Sequence, residues 1–237
     1  MKTNANNRRG FTLVELLVVI VIIAALAGLT APMVIRQRKK ADQTEAVNNA
    51  RQIGFSLFEF ETSYGSFPDE DTAEDVVENT ESTLTPLSGS YSNDFFRQLL
   101  AAEMTQSEEM FYAKTTYSAK PDNVYSTASE ALEAGEVGFG YIMNDTSAFS
   151  TSGNPARPII CAPLLESGSG VSTTEFDTDI YDAKAVVLRI DNSVRSLSIL
   201  RTSKKAQLGG GKSLLTTGED TVWGTETEPT IVPPEVK

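Results

Sequence analysis

The sequence predicts an α+β protein: a long N-terminal helix, then a small C-terminal domain built on an antiparallel sheet. Three observations lead there. No charged residue occurs between Leu16 and Ile35. Apolar residues then recur at helical steps as far as Phe60, until Gly65 and Pro68 stop the pattern. Alternating or continuous apolar runs bounded by turn residues appear only from Val137 onward.

The apolar stretch comes first. A helix over Phe11–Ile35 is roughly 37 Å long at ~1.5 Å per residue, enough to cross a hydrocarbon core of about 30 Å. Glu15 is the exception inside it. A carboxylate at membrane depth costs on the order of 2–3 kcal/mol, less near an interface, so Glu15 calls for a partner. A secretory signal fits poorly, because the small residues Ala24-Ala25-Leu26-Ala27 lie in the middle of the apolar run rather than after it. Charge does not orient the helix: Lys2, Arg8 and Arg9 on one side face Arg36, Arg38, Lys39 and Lys40 on the other.

Beyond the anchor, Ala41, Val47, Ala50, Ile53, Leu57 and Phe60 share one stripe, so Arg36–Thr62 continues the helix and offers a domain a narrow apolar face. Phe11 to Thr62 reads as one bent helix of roughly 75–80 Å, with Pro32 as the kink. Asp69 to Tyr91 reads as an acidic surface connection, its carboxylates (Asp69, Glu70, Asp71, Glu74, Asp75, Glu78 and Glu81) solvated. A second helix is expected over Asn93–Glu103, with Phe95, Phe96, Leu99 and Leu100 inward. Thr105-x-x-Glu108 and Thr127-x-x-Glu130 read as capping boxes that open short helices. Strands are expected at Val137–Met143, Arg157–Ala162, Lys184–Ile190 and Ser193–Leu200, the last two joined by a two-residue turn at Asp191-Asn192. From Glu219 to Lys237 the acidic, proline-bearing tail reads as mobile, with Trp223 tacking it down.

Composition narrows the function. A chain of 237 residues, 40% hydrophobic and 8% aromatic, has room for one anchor and one ordinary domain. Its net charge of −12 disfavours nucleic acid and anionic membrane surfaces as partners. Histidine is absent, which removes the usual triads and the commonest metal ligand. No zinc spacing or dinucleotide-binding glycine motif is present, and nothing selects a carboxylate pair for catalysis, so the chain reads as non-enzymatic. Cys161 is alone and set in Ile159-Ile160-Cys161-Ala162, the setting of a buried, inert thiol. Ala206-Gln207-Leu208-Gly209-Gly210-Gly211-Lys212-Ser213 comes near a phosphate-binding loop, but Ala206 stands where that motif needs glycine, and a glycine turn is the better reading.

Arg9-Gly10-Phe11-Thr12-Leu13-Val14-Glu15-Leu16-Leu17-Val18-Val19-Ile20 resembles the processing signal of type IV pilins and type II secretion pseudopilins, with glycine, phenylalanine and carboxylate in register. The likeness covers Arg8 to about Arg51, includes the helix-kinking Pro32, and extends to the Gly-x-aromatic-Pro stop. Ala185 to Val194 is similar to a C-terminal hairpin of pilin-like proteins, with Asn192 where those have glycine.

The resemblance implies cleavage between Gly10 and Phe11 by a prepilin peptidase that also methylates the new Phe11 amine. The segments are then 1–10 leader, 11–35 transmembrane and assembly helix, 36–63 spine continuation, 64–218 pilin-like domain and 219–237 tail. It implies an inner-membrane, single-pass protein with its domain on the extracytoplasmic side. Such subunits polymerise with pilin-like partners on an assembly platform served by a separate ATPase. In the fibre, Glu15 meets the N-terminal amine of a neighbour, and removing one member of such a buried pair costs about 3–5 kcal/mol. Phe11, Leu16, Leu17 and Pro32 belong to the same assembly surface. The lone cysteine excludes the disulfide loop common in type IV pilins and favours a secretion pseudopilin. A type IV or competence pilus subunit and a static membrane-anchored binding domain stay open as alternatives. No cofactor is expected beyond calcium, which some pseudopilins bind in C-terminal loops; the candidate ligands are Asp177, Asp179 and Asp182.

Overall fold

The computed structural model describes residues 11–237, in two compact units that meet in sequence at Arg38 and Lys39. Helix α1 (Leu13–Tyr64) contributes to both. In the first unit it carries the uncharged stretch, and the large apolar side chains described from Phe11 to Ile35 are all exposed. The helical assignment passes through Pro32, where the missing N–H leaves the Gly28 carbonyl without its usual partner.

In the second unit α1 becomes one wall of the core. Ala46, Ala50, Ile53, Leu57 and Phe60 are fully buried, alternating four- and three-residue steps along one face. The stripe therefore begins at Ala46. Ala41, expected on it, is exposed, and Val47 is half-buried at its edge. The helix ends as its glycine predicts: Gly65 takes φ +88°, and its N–H bonds the Glu61 carbonyl at 2.7 Å.

The acidic connection contains a helix. In α2 (Glu70–Thr80) Asp69 is the N-cap, its Oδ1 accepting from Thr72 N–H at 3.0 Å while the Thr72 hydroxyl accepts from Asp69 N–H at 2.8 Å. Asp69 is buried, with Oδ2 accepting from Ala148 N–H, whereas the other six carboxylates of the segment are exposed. Composition hid a helix whose inward face is only Thr72, Ala73 and Val76. Helix α3 (Ser92–Ala101) is buried on every side. Its phenylalanines and leucines pack inward, and its polar side chains bond the chain around them. Gln98 Nε2 donates to the Asp69 and Leu87 carbonyls, and Arg97 pairs with Asp94 at 2.6 Å while donating to the Ala131 carbonyl.

Neither expected capping box opens an α-helix. Thr127 and Glu130 form an isolated turn, and a single 3₁₀ turn (Glu109–Phe111) follows Glu108. Nine strands follow: β1 (Gly140–Asn144), β2 (Pro158–Ala162), β3 (Leu164–Ser167), β4 (Gly170–Phe176), β5 (Lys184–Arg189), β6 (Val194–Leu200), β7 (Lys205–Gly209), β8 (Lys212–Ser213) and β9 (Pro229–Val232). Seven form an antiparallel sheet in the order β8-β7-β6-β5-β2-β1-β9, and β3–β4 is a separate hairpin. The β5–β6 connection has four residues, Ile190–Ser193, rather than two: Arg189 N–H bonds the Ser193 carbonyl, and Asn192, at φ 59°, alone supplies the left-handed residue of the turn. Here α1 crosses the hairpin closely, because a Cβ on Gly54 would run into Asn192 Oδ1.

The C-terminal residues do not form a mobile tail. β9 pairs with β1, setting Ile231 opposite Ile142, and the Glu235 N–H bonds Asn93 Oδ1 at 2.9 Å. Trp223 is buried, its Nε1 donating to the Leu214 carbonyl at 2.7 Å and its ring 5.8 Å from that of Phe149. Apolar burial of Trp223 and Ile231 outweighs the acidic, proline-bearing composition that suggested disorder.

Candidate functional site

Two regions carry chemistry, one in each unit. In the first, Gly10 and the basic residues before it lie outside the described residues. Phe11 and Thr12 precede the helix, and Thr12 caps it. Glu15 Oε2 accepts from Thr12 N–H at 2.9 Å and from the Thr12 hydroxyl at 2.8 Å, and Glu15 N–H is 3.3 Å from that hydroxyl. This is a capping box with the carboxylate at its third helical position. It locks the rotamer of Glu15 and places its charge at the positive end of the helix. Both Thr12 bonds fall on Oε2, so Oε1 has no partner among the described residues. Leu16 and Leu17 are exposed beside it, with Leu13, Val14, Val19, Ile20, Ile22 and Ile23 continuing the apolar surface. By length and composition α1 is able to cross a membrane.

The second region is a knot of three carboxylates. Glu108, Asp122 and Glu136 bring ligand-capable oxygens within 4.8 Å of one another. Glu108 is fully buried. Its Oε1 accepts from Leu132 N–H at 2.7 Å, while Oε2 is buried without a hydrogen-bond partner. Glu136 is also buried, with Oε2 accepting from Glu133 N–H at 2.8 Å, and Asp122 is exposed.

Surrounding bonds hold the three segments in place. Asn123 Oδ1 accepts from Glu108 N–H, and the Asn93 and Arg97 side chains donate to the Leu132 carbonyl. Gly138 lets two backbones cross: its N–H bonds the Phe111 carbonyl at 3.0 Å, and a Cβ there would overlap the Ala113 backbone. Burial pushes the Glu108 carboxyl up to about 7, with repulsion from Glu136 and Asp122 adding to it and the Leu132 amide opposing it. Burial also raises Glu136, against amide bonds from Glu133 and Asp122.

The aspartates expected to bind calcium do not gather this way. Asp177 Oδ1 accepts from Asp179 N–H at 2.7 Å, closing a local turn, and the exposed Asp182 lies 3.9 Å from Arg201. The glycine stretch before Lys212 is the β7–β8 turn, with Gly209, Gly210 and Gly211 all at positive φ, and Lys212 donates to the Asp220 carbonyl. Cys161 is buried in β2, and burial raises its thiol far above the usual range.

An apolar helix opened by a capped carboxylate and followed by an antiparallel-sheet domain defines a pilin-like protein. Residues 5–31 match the family model for the prokaryotic N-terminal methylation motif. Type II secretion system core protein G of Escherichia coli (strain K12) is 33% identical over 99 residues, covering 41% of this chain and 67% of that protein. The proteins of the same name from Pectobacterium carotovorum subsp. carotovorum and Dickeya chrysanthemi are each 36% identical over 61 residues. Those matches cover 26% of this chain and 39% and 40% of the two relatives, so the chain spans less than half of either. No solved structure matches. The chain belongs to the type II secretion system core protein G family and is a pseudopilin.

Proposed function

We propose that the chain is cut between Gly10 and Phe11, methylated on the new Phe11 amine, and polymerised through its N-terminal helices into the pseudopilus of a type II secretion system. The observation that carries this reading is the start of α1: an apolar surface exposed from Phe11 to Ile35, with a pre-oriented carboxylate whose Oε1 has no partner among the described residues. In the fibre, Glu15 Oε1 receives the amine of the adjacent subunit, and the pair sets axial register. Leu13, Leu16, Leu17 and Ile20 exchange lipid for the same surface of neighbours. Because lipid is already apolar, the gain comes from close packing and from the charge pair.

Before assembly the helix sits in the inner membrane with the sheet domain on the extracytoplasmic side. Assembly uses other pilin-like subunits, the peptidase that removes the leader, and a membrane platform with its own ATPase. The role is mechanical: the growing fibre pushes folded proteins towards an outer-membrane channel. Burial of Cys161 and the absence of histidine from the chain support a non-catalytic role.

The test is Glu15→Val in the native host, followed for leader removal, fibre formation and secretion. The variant is expected to insert and be cut normally, yet to lose fibres and secretion together. Normal fibres from Glu15→Val contradict the charge pair. Loss of surface pili with secretion intact replaces the secretion reading with a type IV pilus.

A further inference from the structure

Glu108, Asp122 and Glu136 have no part in the assembly proposed above, and their arrangement is costly as it stands. Three carboxylates lie within 4.8 Å of one another, and among the described residues no lysine or arginine pairs with any of them. The fully buried Glu108 brings a carboxylate oxygen to the other two, and its Oε2 has no hydrogen-bond partner. A buried oxygen bearing negative charge with no donor is rare, because leaving one unsatisfied costs about 1–3 kcal/mol, more for a charged group. Leu132, Glu133 and Val124 N–H groups each bind one oxygen of Glu108, Glu136 and Asp122 respectively, leaving the second oxygen of each carboxylate without a hydrogen-bond partner among the described residues.

We propose that Glu108, Asp122 and Glu136 bind a divalent calcium ion. Oxygen ligands select a hard cation, and the cluster contains no nitrogen or sulfur donor that would favour zinc or copper. Size then discriminates. Calcium–oxygen distances of about 2.3–2.6 Å allow ligands up to roughly 5 Å apart across the ion, so oxygens within 4.8 Å already span its shell. Magnesium, at about 2.0–2.1 Å, demands that opposed ligands draw within roughly 4 Å and prefers to keep its waters. Asp122 is the solvent-facing ligand, and water fills the positions on its side.

The ion cancels the repulsion among the three groups and ties together the segments around residues 108, 122 and 136. These are the loops that lead into β1, so calcium stiffens the approach to the sheet. The site differs from the loop carrying Asp177, Asp179 and Asp182 in sequence and in surroundings.

The full chain in detergent, stripped with chelator, is titrated with calcium chloride and separately with magnesium chloride. Heat release and thermal midpoint are followed. Calcium is expected to bind once per chain, in the roughly 10⁻⁴–10⁻³ M range of extracellular modules or tighter, and to raise the midpoint, with magnesium much weaker. Asp122→Asn, at an exposed position that does not endanger folding, lowers calcium affinity at least about tenfold, the loss typical of a perturbed metal site. Glu108→Gln also abolishes the calcium-dependent rise, while Asp177→Asn leaves it intact. No saturable response up to ~10 mM, well above that affinity range, overturns the proposal. So does an equal response to magnesium, or calcium binding undiminished by Asp122→Asn.

Discussion

Glu108 sits fully buried with a carboxyl that titrates near neutrality, and this has a direct consequence for the calcium-free chain. Its folded value is about 7 against an ordinary 4.5. Between those values the folded chain holds a proton that the unfolded chain has released. The stability this group permits is therefore fully present below pH 4.5 and lost as pH rises towards 7. Repulsion from Glu136 and Asp122 adds to the upward shift that burial imposes on Glu108. Denaturant unfolding in chelator at several pH values across that window should show falling stability, and Glu108→Gln should flatten the profile. A profile identical to that of the parent chain would remove Glu108 as the cause. Glu15 shows the opposite management of a carboxylate: exposed, capped by Thr12 and fixed in direction. Thr12-x-x-Glu15 has the spacing of a capping box, and the structure forms it. Thr105-x-x-Glu108 has the same spacing, yet Glu108 is a buried acceptor for Leu132 N–H.

At the scale of elements, legibility follows how strongly apolar pattern dictates structure. The spine, its glycine stop, α3 and strands β1, β2 and β5 are core elements, and their side chains announce them, whereas β6 buries only Ile199 and is legible through its turn back from β5. Helix α2 turns only Thr72, Ala73 and Val76 inward, so acidic residues dominate its composition. β4 and β7 are half-buried or exposed apart from one buried residue each, and β8 has two residues, so periodicity is weak there. β9 is betrayed only by the β-branched run Thr230-Ile231-Val232, outvoted by the prolines around it. The carboxylate cluster had no spacing signal at all, since its members stand fourteen residues apart and meet only through the tertiary fold. The crossing at Gly138 makes that meeting possible. Gly138→Ala places a methyl group against rigid Ala113 backbone, and overpacking of this kind costs about 1–3 kcal/mol. The expected result is a lowered thermal midpoint together with weakened calcium binding; a variant as stable as the parent would show that the two segments separate freely.

For the whole molecule, the two units divide the labour. The first is an apolar surface that makes sense only in lipid or against copies of itself, because a monomer in water does not leave so continuous a patch exposed. The second has its own core, formed by the far half of α1, the buried α3 and the seven-stranded sheet, and it carries most of the acidic residues of a chain whose net charge is −12. Self-repulsion among such domains favours a soluble surface over nonspecific clumping. In the proposed fibre, ordered assembly is driven from the N-terminal helix and uses a free Phe11 amine. The most direct measurement is the intact mass of the protein isolated from filaments of its native host. A chain that begins at Phe11 and carries one added methyl group is the predicted result; a chain that still holds residues 1–10 would contradict the account.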